Sequence, residues 1–492
     1  MKKNWFSQQR RAGILLHPTS LPGPMELGDI GGSAFAFLDF MQDAGLRVWQ
    51  MLPICPTLDD RSPYQGLSSY AASPLLINLQ QLVEEGWLSE KQLPPIDAPN
   101  ETRLYSLREA YQGFREQASD VARSQFIDFK REQVDWLDTY ALFNTIRNQL
   151  DRSPWWTWPI ALRDRHPQAL LQLTELFKFG IDEQCFQQFV FHRQWKQLKA
   201  AAHARGIELF GDIPIFVAHD SADVWANPTL FQLNAEGIPS VVAGVPPDYF
   251  SATGQRWGNP LYRWENMQKT QFHWWRQRFE WQLSLFDMIR VDHFRGFAAC
   301  WEVPAHEETA INGRWVSVPG EALFAQLNHE LPDMKLIAED LGVITDDVIA
   351  LKNRFGFPGM KILQFAFGGG ATNPYLPHNH HHNDVLYTGT HDNDTLMSWY
   401  GDCSEEEKEY MHRYLGYCDA AVLPTFLRTA FSSVASMVIV PMQDFLGLGK
   451  GYRMNTPGVT ENNWSWRFQW DQVPQALSTS IKTLVTLYGR NL

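Results

Sequence analysis

The sequence predicts an α/β fold: a parallel (β/α)8 TIM barrel with inserted, largely helical subdomains on its C-terminal rim and no C-terminal β-domain. Two observations lead there. Eight short apolar runs end at polar or turn residues, and helix-like stretches lie between several of them. Three of the runs are closed by an acid: Asp292 in FDMIRVDHFRG, Glu339 in KLIAEDLG and Asp392 in VLYTGTHDND. A β/α barrel keeps its chemistry at the C-terminal ends of its strands, so these acids are candidates for catalysis.

In order, the runs are Gly13 to Pro18, Val48 to Pro53, Ile207 to Pro214, Phe286 to Asp292, Lys335 to Asp340, Met360 to Phe367, Val385 to Thr390 and Met437 to Met442. Near-continuous apolar runs of this length are what strands buried on both faces look like. SAFAFLDFMQDAG after the first run, TDDVIALKNRFG after the fifth and SEEEKEYMHRYLG before the last carry helical periodicity. From Pro53 to Ile207 the chain is far longer than one crossover and contains TRLYSLREAYQGFREQ and FIDFKREQVDWLDTYALFNTIRNQL. A helical subdomain is expected there, over about residues 85–200, beginning at the Pro-rich break QLPPIDAPN. A second excursion, about residues 215–285, holds VVAGVPPDYFSATGQRWGNPLYRW and is expected to be an ordered loop region over the site. Residues 1–492 are thus expected to form a single catalytic barrel.

Composition narrows the function classes. With 44% hydrophobic and 20% charged residues the chain can bury a large core. A net charge of -13 disfavours nucleic acid and acidic membranes, and a neutral substrate fits better. The five cysteines are scattered, with no CxxC spacing, and read as reduced thiols. No run reaches the length of a membrane span, so a cytoplasmic location is expected.

The three acids fit one chemistry. Glycoside cleavage with retention needs a carboxylate nucleophile and a protonated carboxyl about 5–5.5 Å apart, which neighbouring barrel strands can supply. Asp292 reads as the nucleophile, because Arg290 two residues earlier points to the same side and holds it ionised. Glu339 reads as the acid/base, raised by apolar neighbours, and Asp392 as the group that grips sugar hydroxyls, with His391 beside it as a neutral donor. A single acid after a strand is most often a turn or cap residue. Three in sequence order, each suited to one role, carry the assignment together.

These segments resemble the amylomaltases, the 4-α-glucanotransferases of the α-amylase superfamily, from RAGILLHPTSLPG near the start to RMNTPG and NWSWR near the end. The resemblance implies the same roles for Asp292, Glu339 and Asp392, and sugar contacts for Arg290 and His293 in RVDHFRG and for His391. From GDIPIFVAHDSADVW it implies a structural or substrate-binding role for Asp212, and from SPYQ a sugar-stacking Tyr64. DYFSATGQRWGNP implies Trp257 and Asn259 near the acceptor side, with Tyr249 and Phe250 on a loop that shields the intermediate, and QFAF places Phe365 near the bound chain. The implied substrates are α-1,4-glucans such as maltooligosaccharides and amylose, with glucose as an acceptor; no cofactor and no required metal are expected. The stretch PTLDDRSPYQG departs from the family's pattern around Leu58, Asp59, Asp60 and Arg61, which bears on donor length. His378, His380, His381 and His382 read as solvated surface, Trp274, Trp275 and Trp281 as packing, and Cys300 as a buried thiol. A hydrolase of the same fold is the alternative enzyme, and a glucan-binding protein without turnover the alternative class.

Overall fold

The computed structural model describes residues 5–6, 9–247, 251–416, 421–459 and 461–491. Along them the chain forms twelve strands: β1 (Arg11–Leu15), β2 (Val48–Gln50), β3 (Glu208–Ile213), β4 (Val241–Val245), β5 (Gln255–Pro260), β6 (Met288–Val291), β7 (Ala299–Pro304), β8 (Arg314–Ser317), β9 (Leu336–Ala338), β10 (Gly359–Ile362), β11 (Asp384–Tyr387) and β12 (Met437–Pro441). Eight of them make one parallel sheet in the order β10-β11-β12-β1-β2-β3-β6-β9, curled into a barrel. All eight coincide with apolar runs expected from the sequence. The expected runs extend past the observed strands at their C-terminal ends, because those residues leave the sheet to build the rim. Val385 to Thr390, for instance, contains the end of β11 and the start of the loop that carries His391.

The barrel closes at a seam between β9 and β10, where Ala338 N–H donates to Pro358 O at 2.8 Å. Just beyond it Asp340 holds the two edges together, accepting from Met360 N–H at 2.7 Å and from Lys352 Nζ at 2.6 Å. Gly359 lacks the Cβ that would overlap this carboxylate. At the opposite end of the barrel Glu208 receives Arg11 at 2.6 Å and Lys335 at 2.9 Å, so the starts of β1, β3 and β9 are joined by one ion-pair cluster. Arg490, fully buried near the C-terminus, donates to the carbonyls of Phe431, Ala435, Ser433 and Arg11 and fixes the last helix under β1.

The long connection from β2 to β3 is helical: Asn100–Gln117, Asp120–Glu132, Leu137–Gln149, Pro167–Leu176 and Lys178–Ala204. The last of these runs back against the barrel and delivers the chain into β3. The stretch FIDFKREQVDWLDTYALFNTIRNQL breaks into two helices, with Gln133 closing one and Trp136 capping the next. The connection from β3 to β6, expected as loop, contains β4 and β5 and the helix His273–Leu285. With β7 and β8, which the sequence did not reveal, these strands form an antiparallel sheet in the order β5-β4-β7-β8. Trp274 and Trp275 are buried and Trp281 is half-buried, as the packing reading expects.

Gly13 in β1 faces the crowded axis, where a Cβ would overlap Val48 O and the Ile439 side chain. Gly13→Ala is therefore expected to destabilise the fold by about 1–3 kcal/mol, the usual cost of overpacking. The measurement is urea unfolding, with a lower midpoint at an unchanged slope.

Candidate active site

Strand register brings the polar groups together. On β3 and β6, Asp212 stands opposite Arg290; on β6 and β9, Val291 stands opposite Ala338. Asp292 and Glu339 each follow by one residue, so the two acids start from neighbouring points at the C-terminal ends of adjacent strands. Asp392 arrives from a third direction, on the loop after β11.

One chain of polar contacts links six of the thirteen expected residues. Arg290 Nη1 donates to Asp212 Oδ2, and Nη2 donates to Asp292 Oδ1 at 2.8 Å. Tyr64 donates its hydroxyl to Asp212 Oδ2 at 2.7 Å and lies 2.9 Å from His391 Nε2. Because the phenol proton points to the carboxylate, the histidine must be the donor in the second bond, which assigns its proton to Nε2. The rings of Tyr64 and His391 stack at 5.3 Å, and His391 Nε2 stands 3.4 Å from Asp392 Oδ2. Asp392 Oδ1 accepts from Asn455 Nδ2 at 2.6 Å, and Arg453 donates to the Asp392 carbonyl at 2.7 Å.

Glu339 is held differently. Its Oε2 accepts from His293 N–H at 2.7 Å and its Oε1 from Leu341 N–H at 3.0 Å. His293 adopts φ +48, a left-handed conformation that turns the chain directly after Asp292. Its ring meets Trp257 edge-on at 4.8 Å. Asn259 donates to Val217 O at 2.9 Å and accepts from Gln65 at 3.3 Å. Phe365 follows β10 and packs edge-on against Tyr375 at 5.5 Å. Tyr249 and Phe250 lie outside the described residues. Within the site, Asp212 Oδ1, Arg290 Nε and His293 Nε2 are buried with no hydrogen-bond partner among the described residues.

Burial dominates the ionisation of the site. It pushes the carboxyls of Asp292 and Glu339 above their ordinary range; Arg290 opposes the shift in both, and the two backbone donors oppose it in Glu339. Burial lowers His391, although Asp392 acts the other way, and it brings His293 down to about 4, so both imidazoles are neutral at pH 7. The Tyr64 phenol is pushed far up by burial and by Asp212, and stays protonated.

Residues 16–473 match the family described as 4-alpha-glucanotransferase. The chain belongs to that family. A 4-alpha-glucanotransferase of Thermus thermophilus is 47% identical over 93% of this chain and 94% of its own, and one of Synechocystis is 45% identical over 98% and 99%. An amylomaltase from Streptococcus agalactiae, solved in complex with acarbose, superposes with a TM-score of 0.95 at 34% identity, covering 98% of this chain and 100% of the other. The activity is 4-alpha-glucanotransfer, and the substrates are glucans.

Other expected features of this 4-alpha-glucanotransferase sit as follows. In the departing stretch, Arg61 pairs with Glu26 at 2.7 Å and Asp59 lies 3.6 Å from Arg152. His378, His381 and His382 are exposed as expected, with His378 bonding Tyr414 at 2.7 Å, but His380 is buried because its ring turns inward to the Tyr375 carbonyl at 2.8 Å; among the described residues no three or more His, Cys, Asp or Glu side chains gather as a metal site. Cys300 is buried, its thiol pushed up to about 12 by burial. Sequence reading missed Asn455 and Arg453. RMNTPG was noticed as a similar segment, but no spacing ties its asparagine to an acid 63 positions away.

Asn455 holds Asp392 directly, so Asn455→Ala is expected to lower transfer turnover by about 10- to 100-fold. That range corresponds to losing a hydrogen bond to a charged group, about 1.5–3 kcal/mol. Steady-state kinetics with maltotriose, alongside thermal melting to confirm an intact fold, measures it.

Proposed function

We propose that transfer proceeds by retaining double displacement, with Asp292 as nucleophile, Glu339 as general acid then base, and Asp392 as the group that steadies the transition state. The supporting observation is the register of β6 and β9, which starts the first two carboxylates from opposed positions on adjacent parallel strands. Such strands lie about 4.8 Å apart, which suits the 5–5.5 Å or so of a retaining pair.

Electrostatics supports the division of labour. Burial raises both Asp292 and Glu339, and the Glu339 charge adds to the rise at Asp292, which favours keeping a proton at this pair of strand ends. Arg290 bonds Asp292 directly, whereas Glu339 receives only uncharged backbone donors. A charge-assisted bond is the stronger, so the negative charge belongs on Asp292 and the proton on Glu339.

In the first step the Asp292 carboxylate attacks the anomeric carbon while Glu339 gives its proton to the departing glycosidic oxygen. An ester between Asp292 and the donor glucan forms as the reducing-end fragment leaves. In the second step Glu339, now ionised, takes the proton of an acceptor's 4-hydroxyl, and that oxygen displaces Asp292. The acceptor is another glucan or glucose. Asp392, oriented by Asn455 and His391, faces the positive charge that builds on the ring in both steps. Trp257, beside His293, is the contact we assign to the acceptor sugar, and Tyr64 and Asp212 those of the donor ring. Scattered cysteines, four of them described and free, support a reducing, cytoplasmic setting.

The test is incubation with maltotriose, following glucose, reducing ends and the oligosaccharide ladder. Glucose and longer maltodextrins at constant reducing ends are expected; steadily rising reducing ends would mean that water is the main acceptor. Asp292→Asn should fold normally and lose at least about 10⁴-fold in turnover, and wild-type turnover would refute its role. A bell-shaped pH profile is expected, with activity lost toward acid as Asp292 gains a proton and toward alkali as Glu339 loses its own. Since burial raises both groups, both limbs lie above the ordinary carboxylate range.

A further inference from the structure

The loop that carries His391 and Asp392 begins at Thr388, just after β11, and ends at Leu396, where the helix Leu396–Asp402 starts. One carboxylate holds both ends. Asp444 Oδ2 accepts from Thr388 Oγ1 at 2.6 Å, and Asp444 Oδ1 accepts from Leu396 N–H at 2.7 Å. Asp444 lies in the short helix Met442–Phe445 directly after β12 and is 1% exposed, so the barrel wall sets its position. Within the loop, Thr390 N–H donates to Asn393 Oδ1 at 2.9 Å, Ser398 donates to Asp394 Oδ2 at 2.8 Å, and Gln364 reaches the Asp394 carbonyl at 2.8 Å. These bonds brace the loop between its ends, so the position of the ends bears on that of Asp392.

Resting on the reading that Asp392 acts in the transition state, we propose that Asp444 is a positioning residue: ionised, it draws the two ends of the catalytic loop together and sets where Asp392 and His391 stand. It touches no substrate. The chemistry of the two donors explains the residue type. Leu396 N–H is a backbone donor and cannot reverse, so an asparagine must give it the oxygen and present its own N–H group to Thr388. The threonine hydroxyl would then have to turn from donor to acceptor. Both charge-assisted bonds become neutral ones, and the loop ends are held less tightly.

Protonation of Asp444 does the same as that substitution. Burial pushes its carboxyl up to about 6, the Leu396 and Thr388 donors oppose this, and Asp394 adds to it. The other charged or titratable groups around the same cavity are His17 at the end of β1, His391 on the loop and Arg453 on the following segment. Burial brings His17 down to about 3, well below Asp444, and it also lowers His391, a group that wild type and variant share. Arg453 is engaged by the Asp392 and Asn455 carbonyls.

The experiment is kcat and KM for maltotriose against pH in Asp444→Asn, Thr388→Val and Asp392→Asn. Asp444→Asn should lower kcat about tenfold near pH 7.5 with KM within about twofold. Because protonated aspartate and asparagine bond alike, the ratio of wild-type to variant kcat should shrink toward one as the pH falls below about 6. A purely structural role would leave that ratio flat, and a flat ratio or a wild-type kcat overturns the proposal. Thr388→Val removes one arm of the clamp and should lower kcat at least about threefold; it decides the matter alone if Asp444→Asn does not fold, with wild-type kcat again the contrary result. Wild-type turnover in Asp392→Asn would instead overturn the reading beneath, whatever the other two variants do.

Discussion

A buried guanidinium sets the terms at the mouth of the barrel. Arg290 is 4% exposed and is bonded to Asp212 on the adjacent strand and to Asp292 two residues on. Removing a charge from water costs several kcal/mol, and only well-placed partners offset it; deleting one partner of such a group typically costs about 3–5 kcal/mol. Position is transmitted outward from this point. Asp212 holds the Tyr64 hydroxyl, Tyr64 holds His391, and His391 stands beside Asp392. One strand residue thereby orders groups delivered by four separate segments. The local balance also matters: one buried cation faces two carboxylates, Asp212 and Asp292, so the guanidinium is outnumbered by its own partners.

The wall of the barrel was readable because burial on both faces leaves continuous apolar runs, and the acids were readable because they interrupt those runs at their ends. Arg290 was readable too, since an alternation of two residues places it on the side of Asp292. Other parts left no such mark. Asn455 belongs to a segment without regular structure, and its partnership with Asp392 depends on the path of the chain after β12. β7 and β8 are short and carry Trp301, Arg314 and Trp315, so they do not stand out as strands by hydrophobicity. Tyr64 was expected from resemblance as a stacking surface; its ring does stack, on His391, while its hydroxyl is committed to Asp212.

Two kinds of architecture meet at this site. The parallel strands place Asp212, Arg290, Asp292 and Glu339 with the precision of a hydrogen-bonded ladder. Asp392 and Asn455 come from connections, and each is fixed by side chains rather than by ladder bonds. The antiparallel sheet adds Trp257 from outside the barrel, through contact with His293. The strand-borne groups therefore rest on backbone ladders, and the loop-borne groups on side-chain bonds.

The seam between β9 and β10 gives the neighbouring acids Glu339 and Asp340 opposite duties. One opens onto the substrate side; the other is a rivet, closing the wall through Met360 N–H and Lys352. Glu339 belongs to the β6 side of that seam: its N–H donates to Val291 O at 3.0 Å and its own carbonyl accepts from Phe294 N–H at 3.1 Å, so its backbone is laced to the strand that carries Asp292. Lys352, on the outer helix Asp346–Phe355, thereby buttons that helix to the wall at the place where β9 meets β10.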